Sequence, residues 1–327
     1  MLKIVVDIYG ADVGTDPLIS GVAKAINKNI DFFPVMVGDA SLIREGFIKH
    51  GISEDRFEII NTDKFITNND PPTSVFRGCD DTSLVMAYKR LKNDNECVAL
   101  LSAGSTGAML VGSVCRLGLL TGLKFPVLCS ALPCAGDNLI TLVDCGANVD
   151  CNANDLVHFA KMGDVFSRCY CKIQNPRIGL MSVGREAQKG NKLTREAFEK
   201  LSELPINFIG NLEGSDMVSG YADVIVTDGF SGNVLLKNTE AVGKAATEIV
   251  ESIGAEVAPE LVEKIKSALY KKFDFNNQGA ATFLGTEKIV VKMHGCANED
   301  TTVASIEQII RLEKADFSKA LKEAMAK

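Results

Sequence analysis

The chain has 327 residues, 46% of them hydrophobic and 24% charged, with a formal net charge of −7. That length buries a substantial core in one large α/β domain or two modest ones, and the acidic balance argues against a nucleic-acid partner, whose phosphates demand clustered Lys and Arg. Ten cysteines without a paired C-x-x-C rhythm fit reduced, mostly buried thiols better than a zinc site, and no metal is expected.

The first apolar run, Lys3 to Val6, is too short for the core of a signal peptide and reads as a strand. The most apolar region, 108–132, is broken by Arg116, Lys124 and Pro126, so it is no membrane span, and the expected location is the cytoplasm. Further short apolar runs follow at 33–37, 57–60, 98–102, 140–144, 178–183, 207–210, 224–227 and 289–292, with helical stretches between them. Alternation of this kind, without adjacent hairpins, predicts a largely parallel sheet with helices on both faces. We read 1–327 as a single α/β/α domain.

Seven of these strands end in glycine-rich or polar turns: VDIYGADVG, LLSAGSTGA, LVDCGANVD, LMSVGREAQKG, FIGNLEG, VTDGFSGN and VKMHGCAN. Ligands of open parallel sheets bind outside the carboxyl ends of the strands, so these turns are expected to converge on one site. The clearest is DVIVTDGFSGNVLLK, a strand, a glycine turn and a helix start that aim free amides of Gly229, Ser231 and Gly232 at an anion. LSAGSTGAML has the same layout, with Gly104 and Gly107 freeing the backbone and Ser105 and Thr106 adding hydroxyls. Asp144 and Asn148 mark a third turn, Arg185, Glu186 and Lys189 a fourth, and Asn211 a fifth. Of the three histidines only His294 closes a strand, which makes it the candidate for proton transfer or ligand contact.

From 240 to 275 the pattern is helical without strands. Val242, Ala245, Ala246, Ile249, Val250 and Ile253 form one stripe, and Pro259 opens a second helix carrying Leu261, Val262, Ile265 and Leu269. We read this as an appendage for packing, dimerisation or membrane-surface contact. No GxSxG elbow, Walker loop or complete GxGxxG fingerprint is present, so spacing alone stops at an anion-binding α/β enzyme.

Taken together, SAGSTGA, LVDCGANVDCNANDLVHFAKMGDVFS, NPRIGLMSVGREAQKGN, INFIGNLEGSD, DVIVTDGFSGNVLLK and GAATFLGTEKIVVKMHG resemble the successive blocks of the bacterial phosphate acyltransferase family. The family makes acyl phosphate from acyl carrier protein thioesters for phospholipid synthesis. The resemblance implies a three-layer α/β/α sandwich like that of isocitrate and isopropylmalate dehydrogenases and phosphotransacetylases, a homodimer, peripheral membrane contact, and no metal or organic cofactor. Inorganic phosphate, and the charge that develops on the thioester of the fatty acyl chain, would be held by the backbone of 104–107 and 229–233 with Ser105, Thr106, Asn233 and Lys189. His294 would protonate the leaving thiolate or orient phosphate, and Asp228 and Asn148 would position neighbours. Arg77, Lys264, Lys266, Lys271 and Lys272 are candidates for docking the acidic carrier. The chain departs from the family pattern at Tyr9 and Ala11 in the opening motif, at Thr15, at Ser105 and at Arg185. Rival readings are a phosphotransacetylase-type enzyme, a metal- and nicotinamide-dependent 2-hydroxyacid dehydrogenase using Asp144, Asp223 and Asp228, and a non-catalytic membrane scaffold.

Overall fold

Ile4, Val5 and Val6 of β1 (Lys3–Asp7) have no solvent exposure, as expected of β-branched residues in a strand covered on both faces, each burial stabilising by roughly 1.5–3 kcal/mol. The computed structural model describes residues 1–76, 79–134, 136, 138–254, 258–273 and 279–326, without the side chain of Lys271. They fall into two units, 1–128 with 279–327, and 129–278.

After β1 the chain forms α1 (Asp16–Asn27), β2 (Phe33–Gly38), α2 (Ala40–Lys49), β3 (Glu58–Asn61), α3 (Ser83–Asn93), β4 (Cys97–Ser102) and α4 (Thr106–Gly112), whose end runs on into a wider turn at Ser113–Leu117. β5 (Val127–Pro133) leads into the second unit, which holds β6 (Leu139–Val143), α5 (Ala153–Phe166), β7 (Ile178–Met181), α6 (Lys192–Ser202), β8 (Phe208–Leu212), β9 (Val224–Val226), α7 (Gly229–Gly254) and α8 (Pro259–Phe273). The chain then returns to the first unit as β10 (Ala281–Leu284), β11 (Ile289–Lys292), α9 (Glu299–Lys314) and α10 (Phe317–Met325).

In the first unit the strands lie in the order β3-β2-β1-β4-β11-β10. All neighbours are parallel except β10 and β11. α1 packs on α9 so closely that a β-carbon on Gly21 would stand 2.4 Å from Thr302 Cβ. α3 is anchored at both ends. The fully buried Tyr88 hydroxyl donates to Met109 O at 2.7 Å, fixing α4, while Lys288 Nζ donates to Leu91 O, Asp94 O and Cys97 O at 2.6, 2.8 and 2.9 Å. The lysine thereby satisfies the Leu91 and Asp94 carbonyls at the end of α3 and ties them to the start of β4 at Cys97.

The second unit orders its strands β5-β6-β9-β7-β8, parallel except between β5 and β6. Asn152 starts α5 with a capping box closed by Asp155, an arrangement that typically contributes about 1 kcal/mol. The architecture is the expected three-layer α/β type with a mostly parallel sheet. Two strands go beyond the expectation. β5 follows Pro126 at the end of the apolar stretch in which no strand is expected, and β10 is only four residues long. Both pair antiparallel with the next strand, so neither carries the strand–helix alternation on which the parallel reading rests.

α7 and α8 pack through small residues: a β-carbon on Gly243 would lie 2.2 Å from Phe273 Cβ, and one on Gly254 2.5 Å from Val262 Cγ2. The face that α7 buries is therefore Gly243 and Thr247, while Val242, Ile249 and Ile253 of its apolar stripe, with Leu261 on α8, are each more than half exposed. Packing among the described residues leaves these four side chains uncovered. No helix among the described residues is long and apolar enough to cross a membrane.

Candidate functional site

β1 lies between β2 and β4, with the chain leaving in opposite directions, so its carboxyl end marks a crevice of the kind in which open α/β sheets bind ligands. There Asp7 stands opposite Ser102 in the register. Ser102 Oγ donates to Asp7 Oδ2 at 2.9 Å and accepts the Gly104 N–H at 3.0 Å, and Tyr9 N–H donates to Asp7 Oδ1 at 3.3 Å. Asp7 is only 2% exposed. Burial pushes its carboxyl up to about 6, against the opposing pull of its bonds to Ser102 and Tyr9. A β-carbon on Gly10, whose φ is +97°, would meet Gly104 Cα at 2.3 Å. Only glycine allows the loop after β1 to lie against the turn after β4.

That turn runs from Gly104 to Gly107. Ser105 occupies the N-cap position of α4, yet its side chain makes no capping bond. Ser105, Thr106 and Gly107 are half-buried at a helix start, where amide dipoles favour negative charge. β11 brings the next candidate alongside: Met293 N–H donates to Ser102 O at 2.9 Å, and Lys292 Nζ donates to Ala103 O at 3.3 Å. His294 follows directly and is exposed. Its Nδ1 accepts the Cys296 N–H at 3.3 Å and lies 3.0 Å from Cys296 Sγ, so a neutral ring carries its proton on Nε2. The Gly104–Gly107 turn and His294 are thus brought to one rim of the first unit.

In the second unit, β6 and β9 end side by side. Asp144, fully buried, accepts from Gly146 N at 2.9 Å, Ala147 N at 2.9 Å, Asn148 N at 2.7 Å and Asn148 Nδ2 at 2.8 Å. Burial raises its carboxyl while these four donors oppose the rise. Gly229 N donates to Asn148 O at 2.7 Å. Asp228 takes Ser231 N–H at 2.8 Å and the Ser231 hydroxyl at 2.8 Å on its side chain, and Gly232 N on its carbonyl at 2.9 Å. The start of α7 is therefore not the open cradle that its sequence promises. The amides of Gly229, Ser231 and Gly232 are engaged by Asn148 and Asp228, and Asp228 serves as the cap of the helix. Asn233 is exposed and stands over the same turn, 3.5 Å from where a β-carbon on Gly146 would sit.

β7 and β8 supply the remaining candidates. Asn211 is 3% exposed and donates Nδ2 to Glu186 O at 2.9 Å, bracing the 184–190 loop. Lys189 is exposed on that loop, with its backbone N–H on Glu186 O at 3.0 Å. Arg185 is committed elsewhere: it pairs with buried Asp216 at 2.7 Å and stacks over Tyr221 at 4.6 Å.

The carboxylates that a metal-dependent dehydrogenase would need are likewise occupied. Asp144 holds turn amides, Asp228 caps α7, and Asp223 is bidentate to Arg177, with Nη2–Oδ1 2.8 Å and Nε–Oδ2 2.9 Å. Among the carrier-docking candidates, Lys272 Nζ donates to Cys134 O at 2.5 Å and to Gly136 O, and Lys266 pairs with Glu251 and, at 3.2 Å, with Glu263. Both cations are spent within the chain. Lys264 remains exposed, while Arg77 and the Lys271 side chain lie outside the described residues. Sequence reasoning passes over Asp7 and Ser102 as site-builders. The signal for Asp7 is a carboxylate ending a strand whose other inner residues are all buried and apolar.

A family model described as "Fatty acid synthesis protein" matches residues 2–320. The chain is 32% identical to a phosphate acyltransferase of Clostridioides difficile, over 100% of this chain and 97% of that one. A phosphate acyltransferase of Clostridium tetani is 34% identical over 99% of this chain and 98% of that one. Among solved structures, a phosphotransacetylase from Streptococcus pyogenes superposes with a TM-score of 0.64 at 15% identity, covering 100% of this chain and 94% of that one. A branched-chain phosphotransacylase from Enterococcus faecalis does so at 0.61 and 13%, covering 95% and 98%. These two structural likenesses bear on the fold.

Proposed function

The chain belongs to the phosphate acyltransferase family, and from that premise we propose that inorganic phosphate attacks a fatty acyl thioester of acyl carrier protein here, giving acyl phosphate and the free thiol. The observation that carries the assignment of phosphate is the Gly104–Gly107 turn, a strand-to-helix turn whose N-cap serine leaves the helix start uncapped. Amides of Ser105, Thr106 and Gly107 with the two hydroxyls hold the dianion, replacing its water with fixed donors. As the thioester carbonyl becomes tetrahedral its oxygen gains charge, and donors already in position cost no reorganisation. The Nε2–H of His294 donates a hydrogen bond to the departing sulfur, which ends with the proton that the attacking hydrogenphosphate gives up.

At the rim of the second unit, Lys189 and Asn233 offer donors to negative charge, with Asn148, Gly229, Ser231, Gly232 and Asp228 shaping the support beneath Asn233 and Asn211 bracing the Lys189 loop. The exposed stripe of Val242, Ile249, Ile253 and Leu261 favours a homodimer contact or peripheral attachment to lipid. Phosphate-dependent release of thiol from palmitoyl acyl carrier protein tests the reaction. Release that ignores phosphate, or no release at any acyl length, overturns it.

A further inference from the structure

The first unit contains a buried carboxylate that the proposed reaction does not use. Asp7 ends β1 beneath the turn assigned to phosphate, and its bond partners form a chain: the Ser102 hydroxyl donates to Asp7 Oδ2 at 2.9 Å, and the same oxygen accepts the Gly104 N–H at 3.0 Å. A serine oxygen with its proton committed to a carboxylate turns its lone pairs away from that carboxylate, so one of them meets the Gly104 amide. The Gly104 amide is the first of the turn. The amides of Thr106 and Gly107 that follow it belong to the first turn of α4, where a helix leaves its N–H groups without intrahelical partners.

We propose that Asp7 is a positioning residue for phosphate: its carboxylate sets the Ser102 hydroxyl, which holds the Gly104 amide and so fixes the Gly104–Gly107 turn in its anion-binding form. The proposal rests on the reading of that turn as the phosphate site. Three further observations agree with it. Gly10 and Gly104 approach so closely that a β-carbon on Gly10 would come within 2.3 Å of Gly104 Cα, which ties the end of β1 to the turn. A β-carbon on Gly104 would press on Ser102 Oγ at 3.1 Å and lie 3.9 Å from Asp7 Oδ2, so a side chain there would push on the serine of the relay. Asp7 is fully enclosed, with Val37 of β2 and Ser102 of β4 opposite it and Ser83 and Tyr88 facing it from α3.

Enclosure makes the relay sensitive to pH. Burial holds the Asp7 carboxyl at about 6, and a protonated carboxyl donates a hydrogen bond where the carboxylate accepted one, which removes the constraint on Ser102. The titratable groups that face it are the phenols of Tyr9 and Tyr88, both pushed to higher pH by burial, so neither changes charge near 6. Phosphate binding in the intact enzyme thus weakens as Asp7 takes up its proton.

The test is the KM for inorganic phosphate in thiol release from palmitoyl acyl carrier protein, measured from pH 5 to pH 8 for the full chain and for Asp7→Asn. Taking the ratio of variant to wild type cancels the ionisation of phosphate itself. The ratio is expected at about tenfold or more at pH 8, the usual cost of losing a charge-assisted hydrogen bond, and to converge toward one at pH 5, where both proteins carry a neutral group. A ratio that is elevated but constant with pH, or that stays near one throughout, overturns the proposal. Ser102→Ala, which removes one hydroxyl, is expected to converge in the same way and stands in if Asp7→Asn does not fold; a pH-independent ratio for it likewise overturns the relay. Ser105→Ala with Thr106→Val separates the two readings. If that variant raises the phosphate KM at every pH while the Asp7→Asn ratio is flat, only the relay falls; if it leaves the KM unchanged, the turn assignment falls and takes the relay with it.

Discussion

A β-carbon on Gly232 would lie 1.9 Å from the carbonyl oxygen of Asp144. The first turn of α7 and the turn after β6 are therefore in backbone contact, and Asp144 turns its carboxylate the other way to hold Gly146, Ala147 and Asn148. Gly232→Ala is expected to force these two segments apart, at a cost of about 1–3 kcal/mol in stability and at least tenfold in thiol release. Gly214→Ala is the control, since the nearest atom to its new methyl group is 4.0 Å away. Urea unfolding and initial rates on both variants check it. Equal rates for the two would mean that the Asp144 turn takes no part.

Lys189 and His294 are expected to fail in different ways. Lys189→Met removes a cation without disturbing the Asn211–Glu186 bond that braces its loop, so the KM for an anionic substrate rises with little change in kcat. His294→Asn keeps an acceptor near the Nδ1 position for the Cys296 N–H but loses Nε2, so kcat falls on the order of a hundredfold while KM moves little. Steady-state kinetics with phosphate and carrier each varied would expose a reversed pattern, which would exchange the two roles.

The legible part of this chain is the part governed by local rules. Short buried apolar runs mark nine strands, and the glycine-rich or polar turns that end seven of them include those at 104–107, 144–148 and 229–233, because a parallel strand writes its whole burial pattern into a few consecutive residues. β5 and β10 escaped because each depends on an antiparallel neighbour for its place. The state of the α7 start escaped for a related reason. A glycine turn before a helix looks the same whether its amides await a ligand or are met by Asp228 and Asn148, and only the fold brings Asn148 O to 2.7 Å from Gly229 N. Lys266 and Lys272 read as surface cations until Glu251, Cys134 and Gly136 are placed against them. Asp7 and Ser102 are 95 positions apart, so no local pattern joins them.

The apolar stripe on α7 and α8 predicts an association. Val242, Ile249, Ile253 and Leu261 are each more than half exposed, and water contact with such surface is unfavourable by about 25 cal/mol per Å². Ile253→Glu with Leu261→Glu is expected to reduce either the dimer fraction in analytical ultracentrifugation or co-sedimentation with anionic phospholipid vesicles, with thiol release from soluble substrate unchanged. A variant that keeps both properties would assign the stripe to neither partner.

Asp7 also predicts a pH dependence of stability, with a sign opposite to that of a salt-bridged carboxylate. Its carboxyl is held at about 6 in the fold, against an ordinary 3.8. Between those values the native state keeps a proton that the unfolded chain has released, so this group's contribution is fully present below pH 4 and is lost as pH rises through 6. A displacement of about two units corresponds to roughly 3 kcal/mol at 1.36 kcal/mol per unit. Asp7→Asn is neutral at every pH and escapes that loss. Its stability relative to wild type is therefore expected to improve by up to ~3 kcal/mol between pH 4 and pH 7, even if replacing the carboxylate opposite Ser102 costs a constant amount at both. Urea unfolding of the two proteins at the two pH values isolates the effect, because every other titrating group cancels in the difference. A difference that does not change with pH would mean that Asp7 is ionised in the fold as readily as in water, and that Ser102 and the Tyr9 amide together offset its burial completely.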